Sequence, residues 1–400
     1  MALRSKQSRA AGSARRPVIL GLALMLIALN LRVAVAGVPP VLDNLRADFG
    51  LSTAAAGLLT TVPLLIFGLA APLAPRLVRR SGPELVLLGC LVLMAVGAVL
   101  RVLPSVAVLF AGSAILAIGV AIANVVIPSV IKRDFVRPGV MMGIYTTALS
   151  VSASAGLGLT VALERGMHSW RWALGLAAVP AVVAAVLWLP SVASRRPLPL
   201  DARAPSGLWR NRTARLVTGA FAMQSVLFYA ALAWLPDVLR ADGMSPSAAG
   251  VAVSVSVLVA LPVSLVVPIA ADRLAGQQPL AVGMVLLWVG GLSCLLLSPQ
   301  GTLPIWIVLI GFGQGAGVSL TFSLIVLRSR DDSAATALSG MAQSVGYPIA
   351  AAGVLVLGVV HDVAGSWTMP LTLMIAGCAA LAVFSIGASD PAAREVSSDA

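Results

Sequence analysis

Apolar residues run in blocks along almost the whole chain, and short polar stretches separate the blocks. Each block is about 20 residues long, which lets a helix cross a hydrocarbon core about 30 Å thick. Helices are expected rather than open strands, because lipid offers no partner for unpaired backbone groups. The pattern predicts twelve spans: 17–38, 53–75, 84–103, 106–128, 139–163, 170–190, 214–236, 247–270, 279–298, 303–327, 334–360 and 367–388.

The overall composition supports a membrane location. Of the 400 residues, 59% are hydrophobic and 10% are charged, and the mean hydropathy is +0.99. Soluble domains carry about 25% charged residues, so the chain lies well outside their range. The three cysteines fall inside predicted spans and are expected to pack as small apolar side chains, not as a disulfide or a metal site: Cys90, Cys294 and Cys378.

The net charge of +12 is spread unevenly across the predicted topology. With the N-terminus placed in the cytoplasm, 21 of the 27 Lys and Arg residues fall in cytoplasmic segments, five lie on the other side and one lies within a span. This positive-inside bias predicts a multi-pass protein of the cytoplasmic (inner) membrane with both termini in the cytoplasm. The lipid bilayer is therefore the expected partner of the basic segments, and nucleic acid is not.

The first predicted span follows a basic tail and ends near the small residues AVA at 34–36, as a secretory signal peptide does. Asn30 and Arg32 interrupt its apolar run, and the internal repeat described next needs this helix. We therefore expect the segment to remain in the protein as the first span.

The two halves of the chain carry matching landmarks. LRADFGLSTAAAG at 45–57 resembles LRADGMSPSAAG at 239–250, and Arg76 matches Arg273. Landmarks in the same order through six spans indicate one six-helix unit used twice, with a solute site between the two copies. The predicted organisation is a basic tail, a six-helix half, a linker, a second six-helix half and a short tail: 1–16, 17–190, 191–213, 214–388 and 389–400.

Arg32 is the exception among the basic residues, because it lies well inside a predicted span and not at its end. All 15 Asp and Glu residues lie in predicted loops, tails or helix ends, so no carboxylate is expected at mid-membrane. Arg32 lies about six residues, or roughly 9 Å, from the outer end of its span. Its guanidinium suits a planar anion that accepts two hydrogen bonds. The alternative is that Arg32 bonds to helix-end carbonyls or to Asn30 and holds the bundle together.

Amide and phenol side chains fall in a subset of the spans. Asn, Gln and Tyr are absent from the third, sixth, ninth and twelfth spans. We therefore predict a polar cavity lined by the remaining helices, with charge, hydrogen bonds and an aromatic wall. The alternative for the tyrosines is that they form hydrogen bonds between helices and only pack the bundle. The predicted substrate-binding residues are Arg32, Asn30, Asn124, Gln224, Tyr229, Gln314, Gln343 and Tyr347.

The cytoplasmic loops after the second and eighth spans contain related basic stretches. APLAPRLVRR at 71–80 and PIAADRLAGQ at 268–277 resemble the gating motif of the major facilitator superfamily, G-x-x-x-D-R-x-G-R-R. The first copy departs from the motif, because Pro75 occupies the position of the Asp. Plain anchoring by positive charge is the alternative. The predicted gating residues are Arg76, Arg79, Arg80, Asp272 and Arg273.

Longer stretches in both halves resemble the cyanate and 2-nitroimidazole transporter (CynX/NimT) family of this superfamily. They are LNLRVAVAGVPPVL (29–42), ANVVIPSVIKRDF (123–135), GIYTTAL (143–149), GFGQGAG (311–317), LIVLRSRD (324–331) and MAQSVGYPIAAAG (341–353). The resemblance implies an all-α membrane protein of twelve transmembrane helices in two six-helix halves. It also implies secondary active transport of a small anionic or nitro-bearing planar solute by alternating access, coupled to protons or to a counter-solute.

Other functions are less well supported by the residues. A proton-coupled multidrug efflux transporter is the alternative, but VSASAGLGLTVALE at 151–164 lacks the proline of the antiport motif that such proteins usually carry in the fifth span. A sensor would need a signalling domain, which neither tail is long enough to hold. An enzyme is not expected, because His168 and His361 have no companions that form a metal or nucleophile constellation. No cofactor is expected either, since no phosphate-binding glycine loop is present.

Overall fold

The computed structural model describes residues 20–33, 35–193, 207–393 and 395–396. The predicted basic tail at 1–16 and residues 194–206 of the predicted linker lie outside these ranges. The described residues form fifteen α-helices. They are α1 (Leu20–Val33), α2 (Leu42–Phe49), α3 (Thr53–Ala70), α4 (Leu73–Ser81), α5 (Pro83–Leu100), α6 (Val106–Asp134), α7 (Pro138–Met167), α8 (Trp170–Gly175), α9 (Ala178–Ala193), α10 (Arg212–Ala241), α11 (Pro246–Arg273), α12 (Gln278–Leu297), α13 (Leu303–Leu327), α14 (Asp332–Ala364) and α15 (Thr368–Ala388).

Most of these helices are long and apolar enough to cross a membrane. Within the described ranges, ten do so when α8 and α9 count as one span, and the bent pair α3 and α4 makes an eleventh. The helix α1 is apolar but shorter in its described part. Each of the twelve predicted spans falls on one of these helices or pairs. The structure therefore confirms the predicted all-α membrane fold.

The second span is bent where the sequence pattern predicts one continuous helix. The axes of α3 and α4 differ by 55° across the break after Ala70. Pro72 and Pro75 follow that break, and neither has the backbone N–H that a continuing helix would need. Because of this bend, α4 and its basic residues run across the end of the bundle.

The outer helices present apolar side chains to their surroundings. Val182 on α9 is 50% exposed, Leu286 on α12 is 65% exposed and Val383 on α15 is 67% exposed. By contrast, most residues of α6 between Val120 and Ile131 are buried. Such an apolar exterior around buried central helices is the arrangement expected in lipid.

The helices before and after residues 194–206 are called the N-terminal and C-terminal halves below. Their most extensive contacts join α7 to α11, α3 to α14 and α6 to α14. The approach of α3 to α14 is close, because a Cβ on Gly68 would overlap Pro348. The end of the bundle that holds Ala193 and Arg212 is called the linker face.

The last residues that the structure describes, 395–396, lie against the linker face. Val396 is 1% exposed, and its backbone N–H donates to the carbonyl of Arg328 over 2.8 Å. The Arg328 guanidinium donates in turn to the carbonyl of Ala388 and to Oε1 of Gln277, each over 2.7 Å. Burial lowers the pKa of Arg328, whereas the charges of Asp390 and Glu395 raise it. This segment therefore ties α12, α13 and α15 together.

Candidate functional site

Arg32 lies at the interface between the two halves. Its Nη1 donates a hydrogen bond to the phenol oxygen of Tyr229 on α10 over 2.9 Å. The guanidinium carbon also lies 5.8 Å from the ring centroids of both Phe228 and Tyr229. The side chain is partly buried, and none of the ion pairs among the described residues includes it. The N-terminal half thus offers a cation that aromatic groups of the C-terminal half hold in place.

Ser152 on α7 fixes the turn of α1 that carries Arg32. Its Oγ accepts hydrogen bonds from the backbone N–H groups of Arg32 at 3.1 Å and of Val33 at 2.8 Å. The same hydroxyl donates to the carbonyl of Leu29. The Leu29 carbonyl and the Val33 N–H are the two groups that one helical hydrogen bond would join, so the hydroxyl contacts both of them. Ser152 is therefore a positioning residue for Arg32.

Aromatic rings form a wall beside Arg32. Tyr347 on α14 lies 5.3 Å from Phe67, 5.4 Å from Phe221 and 6.2 Å from Tyr229, measured between ring centroids. Phe322 extends the group, with its centroid 5.6 Å from that of Phe221. All four pairs meet edge to face, the arrangement that aromatic quadrupoles favour. Phe67, Phe221, Tyr229, Phe322 and Tyr347 are called the aromatic wall below.

A group of buried amides joins the halves next to this wall. Nε2 of Gln343 on α14 donates to the backbone carbonyl of Asn124 on α6 over 3.2 Å and to Oγ of Ser339 over 2.9 Å. Oδ1 of Asn124 accepts from the phenol of Tyr145 over 2.9 Å. Asn124 is 1% exposed and Gln343 is 0% exposed. The bond between Gln343 and Asn124 must break whenever α6 and α14 separate.

Gln224 and Gln314 are buried on the neighbouring helices α10 and α13. Gln224 packs tightly against Gly317, where a Cβ would lie 2.7 Å from Cγ of Gln224. Gly317 therefore faces α10, whereas Gly311 abuts Ser256 on α11. At 100° per residue, Gln314 points in a direction between those of Gly311 and Gly317. It therefore lies on the side of α13 that faces the space between α10 and α11.

The remaining predicted binding residue, Asn30, has different neighbours. Its Nδ2 donates to the carbonyl of Leu26 over 2.8 Å and to that of Pro180 on α9 over 3.1 Å. These bonds attach α1 to the outer helix α9. Among the described residues, the Arg32 side chain donates to Tyr229 and not to Asn30. The structure therefore does not support the alternative in which Arg32 bonds to Asn30.

The predicted gating residues lie on the linker face. Arg76, Arg79 and Arg80 are exposed on α4, and Asp272 and Arg273 are exposed at the end of α11. No ion pair among the described residues joins any of them. Asp272 packs closely on the first turn of α7, where a Cβ on Gly139 would overlap it. A carboxylate at a helix N-terminus is favourable, and the gating role stays a prediction.

Two other contacts close the linker face between the halves. Nζ of Lys132 on α6 donates to the carbonyl of Val326 in the last turn of α13 over 3.0 Å. Oγ1 of Thr146 on α7 donates to the carbonyl of Ser264 on α11 over 2.8 Å. Both bonds cross from one half to the other. The halves are thus held together on this side of Arg32.

Sequence reasoning missed several members of this site. A phenylalanine in an apolar span carries no signal of its own, so Phe67 and Phe322 could not be told from core residues. Phe221 and Phe228 could have been found, because they share a helix face with Gln224 at spacings of three and four residues. Ser152 is one of several serines on α7, and only the structure shows its contact with α1.

A membrane-crossing helical bundle with a polar, aromatic site between two halves is the architecture of a membrane transporter. The chain belongs to the Major Facilitator Superfamily, which it matches over residues 20–351. It is 38% identical over 369 residues to the uncharacterized transporter YycB of Bacillus subtilis (strain 168), covering 91% of this chain and 92% of that protein. The protein is therefore a multi-pass transporter of this superfamily and not an enzyme.

Two further relatives carry names that mention a solute. A 2-nitroimidazole transporter of Escherichia coli (strain K12) is 36% identical over 363 residues, covering 90% of this chain and 92% of the relative. The cyanate transport protein CynX of the same organism is 29% identical over 359 residues, covering 87% and 91%. These matches confirm the resemblance to the CynX/NimT family.

The fold is also that of solved transporters with distant sequences. The proton:xylose symporter XylE, bound to 6-bromo-6-deoxy-D-glucose, superimposes with a TM-score of 0.74 at 14% sequence identity. The match covers 93% of this chain and 95% of that protein. At this identity the likeness supports the fold alone.

Proposed function

We propose that the protein moves a small planar solute, anionic or nitro-bearing, across the cytoplasmic membrane by alternating access. The observation that carries the proposal is Arg32. This cation lies between the halves, is partly buried, and is held by Tyr229 without an ion-pair partner among the described residues. A charge in such a place is costly unless it serves a ligand or a pathway.

The chemistry of Arg32 and its neighbours limits the solute. A guanidinium is a planar fork that matches two oxygens on one carbon or nitrogen atom, as in a carboxylate or a nitro group. The aromatic wall offers flat surfaces to a planar ring. The name of one relative, a 2-nitroimidazole transporter, agrees with a solute of this class, and the name of another, a cyanate transport protein, agrees with a small anion. In the proposal the amides of Asn124, Gln224, Gln314 and Gln343 add hydrogen bonds, and Asn30 supports α1 next to Arg32.

The contacts between the halves support an alternating mechanism. The bonds from Lys132 to Val326 and from Thr146 to Ser264 close the linker face, which we assign to the cytoplasm together with both termini. In the proposal two rigid bodies, 17–190 and 214–388, rock about the site and break these bonds when the cytoplasmic side opens. A gradient of protons or of a counter-solute drives the movement.

Counterflow in proteoliposomes tests the proposal. Vesicles are loaded with unlabelled cyanate, small carboxylates, nitroimidazoles or lipophilic cations, and the exchange of a labelled member of each class is followed. We expect exchange of the anions or nitroheterocycles, lost in Arg32→Ala and impaired in Arg32→Lys, because an ammonium cannot reproduce the planar fork. Arg171→Ala is the control. Arg171 lies away from the site, and its guanidinium pairs with the carboxylate of Asp48 at a distance of 2.7 Å.

Two results would contradict the proposal. Normal exchange of anions and nitroheterocycles by folded Arg32→Ala protein would remove Arg32 from the site. Exchange of lipophilic cations in place of the anions would favour the multidrug efflux function and leave Arg32 a structural role.

A further inference from the structure

Three buried amide atoms beside the aromatic wall have no hydrogen-bond partner among the described residues. They are Oε1 of Gln343, Nδ2 of Asn124 and Nε2 of Gln224. The three residues are 0%, 1% and 3% exposed. Buried polar groups of this kind are normally paired, and an unpaired one in a medium of low dielectric is unfavourable. Three of them in one region indicate groups that pair with a ligand.

The orientation of the Gln343 amide is fixed by its neighbour. Nε2 faces the backbone carbonyl of Asn124, which can only accept a hydrogen bond. Oε1 is therefore the atom left over, and it can only accept as well. A partner for Oε1 has to bring an N–H or O–H group of its own.

The three side chains lie at a similar depth on three central helices. Counted from the linker face along each helix, Asn124 lies about 15 Å in, Gln343 about 16 Å and Gln224 about 18 Å. Tyr229, which binds Arg32, lies about 25 Å in on the same helix as Gln224. The amides therefore form a layer on the linker side of the Arg32 group.

We infer that these amides form a second subsite, which binds a hydrogen-bond donor on the transported solute. The inference rests on the proposed function and narrows its substrate class. Arg32 takes the paired oxygens of the solute, Gln343 Oε1 accepts from a ring N–H or a hydroxyl, and the free N–H groups of Asn124 and Gln224 donate to remaining acceptors. The bond from Gln343 to Asn124 joins the two halves, so the subsite opens to the solute when α6 and α14 separate. The preferred solutes are nitro-bearing azoles with a ring N–H or hydroxyl-bearing carboxylates, ahead of cyanate, which has no donor.

Two methylated isomers distinguish the loss of this hydrogen bond from the steric effect of an added methyl group. Exchange of labelled 2-nitroimidazole is measured against two competitors, 1-methyl-2-nitroimidazole and 4-methyl-2-nitroimidazole. Both add one methyl group, but only the 4-methyl isomer keeps the ring N–H. We expect the 1-methyl isomer to compete at least about tenfold more weakly, which is the usual effect of leaving a buried polar group unpaired.

The variant Gln343→Met assigns the effect to this residue. Methionine fills a similar volume without the acceptor, so we expect the two isomers to compete equally. Ser344→Ala is the control, because the Ser344 hydroxyl donates within its own helix to the carbonyl of Met341 over 3.0 Å, and it should keep the difference.

The outcomes separate this inference from the proposed function. Equal competition by the two isomers in the wild type, or an unchanged difference in folded Gln343→Met protein, would overturn the second subsite and leave the Arg32 proposal standing. If Gln343→Met does not fold, the wild-type comparison decides. A failure to exchange 2-nitroimidazole, cyanate or any carboxylate would refute the proposed function and this inference with it.

Discussion

Replacing Ser152 by alanine tests how the position of Arg32 is set. The buried hydroxyl accepts from the N–H groups of Arg32 and Val33 and donates to the carbonyl of Leu29. Alanine removes all three bonds, but Val33 and Leu29 can then pair as in a regular helix. Since each net hydrogen bond contributes about 1 kcal/mol, partial repair leaves a loss of about 1–2 kcal/mol in the free energy of unfolding.

The effect on solute affinity should be larger than the effect on stability. Without these bonds α7 no longer holds this turn of α1 in place, so Arg32 shifts relative to Tyr229 and to the solute. A hydrogen bond to a charged group contributes about 1.5–3 kcal/mol, which corresponds to a loss of affinity of about tenfold to hundredfold. We therefore expect Ser152→Ala to weaken competition in counterflow by about tenfold or more.

Matched variants on the same helix make this test specific. In Ser150→Ala the lost hydroxyl bonds only to the carbonyl of Thr146 on its own helix, over 3.2 Å. Ser152→Thr keeps the hydroxyl and should restore affinity. Thermal unfolding in detergent and counterflow competition are measured for all three proteins. If Ser152→Ala behaves like Ser150→Ala in both assays, the positioning of Arg32 by Ser152 is refuted.

Three further substitutions test separate contacts. Tyr229→Phe keeps the ring but removes the acceptor of the Arg32 hydrogen bond, so solute affinity in counterflow should fall about tenfold. Lys132→Met removes the bond to the Val326 carbonyl, so the linker face should open more readily. In a variant without the native cysteines, a single cysteine introduced at this face should then react faster with an impermeant thiol reagent. Val396→Asp places a charge where the side chain is 1% exposed, so the segment around residue 396 should detach from α13 and become sensitive to protease.

Each of these substitutions has a contrary result, and two of them have a matched control. For Lys132 the control is Arg133→Met, because Arg133 pairs with Glu84 and Asp134 inside the N-terminal half. Equal labelling of the two variants would show that Lys132 does not hold the halves together. For Val396 the control is Ala392→Asp at an exposed position. Unchanged protease protection in Val396→Asp, or unchanged affinity in Tyr229→Phe, would contradict the corresponding contact.

The sequence predicts the helices well because the hydrophobic requirement of a membrane is strong and local. Each of the twelve apolar blocks falls on a helix or a helix pair among the described residues. The bend after Ala70 was not predicted, since a proline in a transmembrane helix kinks it only where neighbouring helices allow. The helix α2 was also missed, because its short amphipathic stretch has no membrane-length signal.

Prediction of the candidate site follows the same rule. Arg32, Tyr229 and Tyr347 were predicted as binding residues because a charge or a phenol inside a span is unfavourable and therefore conspicuous. Asn30 was equally conspicuous, but its amide is satisfied by Leu26 and Pro180, and only the structure gives that partner from α9. Tertiary contacts decide which polar residues meet, and a single sequence does not contain them.

The contact between Arg32 and Tyr229 joins the two halves at the candidate site. Arg32 lies on α1 of the N-terminal half, and Tyr229 lies on α10 of the C-terminal half. A solute that accepts hydrogen bonds from the Arg32 guanidinium competes with the Tyr229 phenol for the same N–H groups. In the proposed mechanism this competition links binding of the solute to the movement of one half against the other.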